Sequence, residues 1–159
     1  SPQVFQVMTD PHRRAINVRG GRVKFFSKKN IQDTPIRRRN TPTGTMNIST
    51  PEATLFDLIK YSRLIGGMDH VANVISEMME HIKISELKGA AVVFPLPVLQ
   101  RAGYVFELIG YTPGIKMLQK HLTRENIVYT ALEASRPVVR DHKDEKWKVL
   151  LNTEIEIEY

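Results

Sequence analysis

Ser49-Thr50-Pro51-Glu52-Ala53-Thr54-Leu55-Phe56-Asp57-Leu58 opens the helical part of this 159-residue chain, and its reading decides the fold. The Thr50 hydroxyl can accept from one of the unpaired N–H groups at a helix start. Pro51 follows at the first helical position, where a missing N–H costs nothing and φ is already near the helical value. Glu52 places a carboxylate at the positive end of the helix dipole. Leu55, Leu58, Ile59 and Ser62 continue at helical spacing as far as Gly66-Gly67, a stop signal.

Toward higher numbers the pattern stays helical. Met68 to His81 carries Val71, Val74, Ile75, Met78 and Met79 on one face, which predicts a second amphipathic helix. Short helices are predicted over 84–91 and 115–121, and a longer one from Pro97 to Ile109, stopped by Gly110. Ile127–Leu132 reads as a strand, and Trp147–Leu151 and Glu154–Ile157 as the last strands, with a bend near Asn152. Toward lower numbers, Thr45-Met46-Asn47-Ile48, Arg22–Ser27 and Val4–Met8 read as strands, the last ending at the turn signal Asp10-Pro11. Lys28–Gly44 has little apolar content, two prolines and the Arg37-Arg38-Arg39 run, and reads as an exposed loop or arm. Strands at both ends and helices in the middle predict an α+β fold, with a mixed sheet drawn from the N- and C-terminal strands around a central cluster of helices. No internal repeat is visible, and residues 1–159 are expected to form a single domain.

Composition narrows the function classes. Hydrophobic residues make up 42% and charged residues 25%, the balance of an ordinary globular protein. The absence of cysteine excludes disulfides and thiolate metal sites. No apolar run approaches the ~20 residues that span a bilayer. Ser1-Pro2-Gln3 has neither an initiating Met nor the segments of a signal peptide, so the chain reads as a piece of a longer, cytoplasmic protein.

Charge is unevenly distributed. Arg13, Arg14, Arg19, Arg22, Lys24, Lys28, Lys29, Arg37, Arg38 and Arg39 face only Asp10 and Asp33 in residues 1–50, a balance of +8, whereas the remainder stands at −2. A basic third on a near-neutral body suits a polyanion such as nucleic acid; a solvated basic face is the alternative.

The Thr50–Leu58 stretch resembles the "PE-x-x-L-x-D-L" helix start of the C-terminal domains of AbiEi abortive-infection antitoxins, and Gly66-Gly67 matches the break that follows. Gln100-Arg101-Ala102-Gly103-Tyr104-Val105-Phe106-Glu107 is similar to that family's "R-L-G-Y-L-L-E" helix, with Ala102 where Leu is usual. Leu132–Pro137 and Trp147–Asn152 resemble its closing "L-x-x-x-x-P … W-x-l-x-x-N" pattern. The resemblance implies a type IV toxin–antitoxin pair: a non-enzymatic antitoxin and transcriptional regulator, encoded beside a nucleotidyltransferase-like toxin. It also implies a winged helix-turn-helix, absent from this chain, that binds the operon's own promoter DNA. The C-terminal domain is tied to neutralising the toxin, without requiring a stable complex, and to supporting promoter binding.

Other candidate residues are weighed against that expectation. Asp57 and Arg101 lie on apolar helices, where charges need partners, so an ion pair of Asp57 or Glu52 with Arg101 is expected. Thr50, Pro51, Glu52, Asp57, Arg101 and Trp147 are therefore read as structural. His12, His70, His81, His121 and His142 show no zinc spacing, and no metal, cofactor or catalytic residue is assigned. Asp144-Glu145-Lys146 offers the alternative, a metal-dependent nuclease-like nucleic-acid-processing site, since a carboxylate two residues before Lys recurs in such sites. The surrounding charge also suits a solvated hairpin ahead of Trp147.

Overall fold

The computed structural model describes residues 50–159 with their side chains and, before them, the backbone of the strands β1 (Gln3–Thr9), β2 (Ile16–Val18), β3 (Gly21–Ser27), β4 (Ile36–Thr41) and β5 (Gly44–Ser49). Five α-helices follow: α1 (Pro51–Lys60), α2 (Met68–Met78), α3 (Ile84–Ala91), α4 (Leu96–Ile109) and α5 (Thr112–Leu122). The short strands β6 (Thr130–Ala131), β7 (Lys143–Asp144) and β8 (Val149–Leu150) complete an α+β chain.

The start of α1 and the stop of α4 match the local signals, whereas α1 ends at Lys60, short of Gly66-Gly67, and α5 begins at Thr112 instead of Ile115. Thr50 has extended backbone, φ −64° and ψ 156°, and its Oγ1 accepts from Ala53 N–H at 3.2 Å. Gly110 takes the left-handed conformation, φ +74°, that ends α4, and Tyr111 N–H returns to the Phe106 carbonyl at 2.9 Å. From Glu52 to Ile59 every residue of α1 is buried, so α1 is the central rod against which α2, α3 and α4 pack. The core joins Leu55, Phe56, Ile59, Met68, Ile75, Leu87, Leu99, Phe106 and Leu118 to Leu132, Trp147 and Val149 from the late segment.

Two buried glutamates supply caps that α2 and α3 lack. The N-cap positions Gly67 and Lys83 offer no capping side chain of their own. Glu133 Oε2 accepts from Met68 N–H at 2.6 Å at the start of α2, and Glu52 Oε2 accepts from Lys83 N–H at 3.1 Å at the start of α3. Each carboxylate pairs an orphan donor and faces the positive end of a dipole. Gly67, at φ +89°, leaves room for this approach: a Cβ there would lie 3.1 Å from Glu133 Oε2.

Three expectations are corrected. The 28–44 stretch is not wholly an arm: Ile36–Thr41 is a strand, paired antiparallel with β5, with Arg37 opposite Ile48, Arg38 opposite Asn47 and Arg39 opposite Met46. Pro35 and Pro42 bound this strand instead of interrupting it, so neither removes a ladder donor from its interior. Nor do the strands of the two ends share one sheet. Among the described strands, β1, β3 and β2 pair with each other, β4 pairs with β5, and β6, β8 and β7 form a separate mixed sheet. Finally, Glu154–Ile157 is not a strand. It runs along α2, with Ile155 and Ile157 packed against the core and Glu154, Glu156 and Glu158 exposed. Its backbone bonds go to the side chains of Asp69 and Asn73, so no ladder forms. The expected Asp10-Pro11 turn lies outside the described residues.

Candidate functional site

The most densely bonded polar cluster is built on α4. Gln100, 1% exposed on an otherwise apolar face, turns its Nε2 toward the carbonyls of Val128 at 2.8 Å, Trp147 at 3.0 Å and Lys148 at 3.2 Å. A buried amide needs such acceptors, and these belong to the segments flanking β6 and β8. The adjacent Arg101 donates from Nε to the Ala131 carbonyl at 2.8 Å and from Nη2 to Thr130 Oγ1 at 3.2 Å. Burial pushes the guanidinium below its usual value, and the Glu133 carboxylate opposes that shift. The expected ion pair of Asp57 or Glu52 with Arg101 is thus replaced: Arg101 bonds β6, and Glu52 caps α3. Arg101 holds the outer edge of β6, doing for that edge what a further strand would do.

Gly103, two residues on, sits directly under Trp147. A Cβ on Gly103 would fall inside the indole ring's van der Waals envelope. Trp147 is 1% exposed, and its Nε1–H donates to Glu107 Oε1 at 3.2 Å. Lys146 forms an ion pair with the same Glu107 oxygen. In the β7–β8 hairpin, Asp144 Oδ2 accepts from Trp147 N–H at 2.8 Å, and Lys148 takes φ +51° to complete the turn. The Asp144-Glu145-Lys146 triplet is therefore a turn whose carboxylate is committed to a backbone donor and whose lysine is committed to α4. It is the exposed hairpin expected ahead of Trp147, with those two side chains tied into it.

The loop after β6 is locked in the same way. Asn152 Oδ1 accepts from Glu133 N–H at 2.9 Å, while its Nδ2 donates to the carbonyls of Glu133 at 2.8 Å, Pro137 at 3.2 Å and Arg136 at 3.3 Å. This fixes the Glu133 carboxylate over the start of α2, where Ser62 and Ser135 also donate to its other oxygen. The closing motif singled out in the sequence thereby gains a physical meaning: Leu132, Trp147 and Asn152 pin the late segment to α4 and α2. Gln100, Glu107 and Glu133 were present in those motifs, but nothing local marked their partners.

Among the described residues no group of three or more His, Asp or Glu side chains is placed to hold a metal ion. Among them, too, no helix is long and apolar enough to cross a membrane. Of the ten basic candidates, Arg22 and Lys24 lie on β3 and Arg37, Arg38 and Arg39 on β4. Arg13, Arg14, Arg19, Lys28 and Lys29 lie outside the described residues.

A family model, the AbiEi antitoxin C-terminal domain, matches residues 1–108. That span includes the basic strands, α1 to α3 and nearly all of α4. No curated protein and no solved structure matches the chain.

Proposed function

The chain belongs to the AbiEi antitoxin C-terminal domain family, and from that membership we propose that it is the regulatory half of a cytoplasmic, non-enzymatic antitoxin. In this reading it counteracts a nucleotidyltransferase-like toxin and supports binding of the whole antitoxin to its own promoter. The winged helix of that antitoxin reads the operator. Residues 1–159 act as one domain beside it, and the basic surface of residues 1–50 adds contacts to the phosphate backbone.

Family membership is the observation that carries the reading. The +8 balance of residues 1–50 supports the nucleic-acid half, because lysines and arginines that neutralise phosphates release condensed counterions. The cluster on α4 supports the non-enzymatic half: Gln100, Arg101, Glu107, Asp144 and Lys146 each make a bond that holds the late segment in place. Binding of the chain to duplex DNA tests the nucleic-acid contact. Affinity should fall by about tenfold or more between 50 and 200 mM salt. Replacing Arg37, Arg38 and Arg39 with Ala should lower the slope of log affinity against log salt. Binding that does not respond to salt, or no binding at low salt, would remove the basic surface from the reading.

A further inference from the structure

Two lysines converge on one tyrosine on the outer face of the β6–β8–β7 sheet. Thr130, Val149 and Asp144 stand in one row across the three strands, and Ala131, Leu150 and Lys143 in the next. The first row belongs to α4: Arg101 bonds Thr130 Oγ1, and Val149 joins the core, which Leu150 does not. Side chains alternate faces along a strand, so Lys143 stands on the opposite side, and Tyr129, two residues before Ala131, joins it. Lys143 Nζ lies 5.2 Å and Lys148 Nζ 6.0 Å from the centre of the Tyr129 ring. Among the described residues neither lysine pairs with a carboxylate, the ion pairs there being Lys146 with Glu107 and His81 with Glu80. Asp144, next to Lys143, is committed to Trp147 N–H. Two like charges at one ring without a counter-charge make a seat for an anion. Lys148 is also the one non-glycine residue with positive φ, +51°, among the described residues. Glycine would take that backbone without strain, so a lysine there costs stability, and strain of this kind collects at binding sites. Its Nζ donates to the Ile127 carbonyl at 3.4 Å, which keeps it beside Tyr129.

The geometry points to a binding site for single-stranded nucleic acid, in which Lys143 and Lys148 take phosphates and Tyr129 stacks on a base. An aromatic ring beside cations is the combination that holds a single strand without regard to sequence. Tyr129 is 37% exposed and Val128 beside it 71%, so an unpaired base meets both a ring and apolar surface. An exposed cation–π contact is weaker than the stacking of a base on the same ring. Phosphates therefore draw the ammonium groups aside, and a base takes their place. A duplex keeps its bases in their own stack and an acidic peptide need offer no flat ring, so either would use the charges alone. The site involves none of the basic residues of 1–50 and lies beyond the residues 1–108 that the family model matches.

The test is binding of the whole chain, across a salt series, to labelled single strands about ten nucleotides long, oligo-dT and oligo-U, and to duplex DNA of the same length. Either strand supports the site, and the tighter of the two names its sugar. Tyr129→Ala should weaken single-strand binding by about tenfold and leave duplex affinity within about twofold of the parent, whereas Tyr129→Phe, which keeps the ring, should bind as the parent does. Lys148→Gly should lower the slope of log affinity against log salt by about 0.7, the share of one phosphate on a single strand. That variant should be at least as stable in urea as the parent, so its loss of binding is not a loss of fold. Single-strand affinity unchanged by Tyr129→Ala, or equal losses on single strand and duplex, would overturn the stacking. An unchanged slope in Lys148→Gly would overturn the phosphate seat. Weaker binding on replacing Arg37, Arg38 and Arg39, with no effect of the Tyr129 and Lys148 variants, would remove this site and leave the promoter contact standing.

Discussion

The indole of Trp147 occupies the space in which any side chain at position 103 would have to lie, so Gly103 and Trp147 are a single packing unit. Through it the late segment is bolted to α4, with Gln100 donating to the Trp147 carbonyl and Glu107 accepting from the indole N–H. Gly103→Ala should therefore destabilise the protein, despite the better helix propensity of alanine. The expected cost is about 1–3 kcal/mol, the range for overfilling a packed core. Urea melts followed by Trp147 fluorescence would measure it, and a variant as stable as the parent would contradict the packing.

Glu133 caps a helix 65 residues away in sequence. Glu133→Ala strands Met68 N–H and should cost about 1–3 kcal/mol. Glu133→Gln, which keeps a carbonyl acceptor there, should cost less. Thr50→Ala, which removes the cap of α1, should cost ~1 kcal/mol. Equal stability of Glu133→Ala and the parent would mean that α2 needs no cap from outside.

Tyr104 is pushed above its ordinary pKa by burial and then by the nearby Asp144 carboxylate. In the unfolded chain the phenol titrates near its usual value of about 10. The folded state therefore holds its proton more tightly. That contribution to stability is complete below pH ~10 and is lost as pH rises through the raised folded value. Tyr104→Phe should make the alkaline fall in stability shallower. The check is a series of urea melts above pH ~9, where an unchanged profile would contradict it.

Local chemistry made the helices legible. Thr50, Pro51 and Gly110 act within one turn of themselves. What was not legible depends on partners far away in sequence. The late strands are two residues each, and Gln100 takes up the Val128 and Trp147 carbonyls just before them. Arg101 looked as if it needed a carboxylate on α1, yet a carbonyl and a hydroxyl of β6 satisfy it. The Arg37-Arg38-Arg39 strand was hidden by its charge, since alternation of apolar and polar residues is the usual signature of a strand and this stretch has none. Asp144 resembled a metal ligand in sequence, and only its bond to Trp147 N–H reveals its work.

The central claim, that this domain serves an antitoxin without catalysing a reaction, is tested most directly by colony survival when the cognate toxin is induced alongside the full-length antitoxin. Asp144→Asn keeps an acceptor for Trp147 N–H but removes the charge that a metal-dependent reaction would need, and Lys146→Ala removes the neighbouring cation. Both variants should rescue growth as the parent does, whereas deletion of the region equivalent to this chain should abolish rescue with the winged helix intact. Loss of rescue by a folded Asp144→Asn or Lys146→Ala protein, or full rescue by the winged helix alone, would contradict the account.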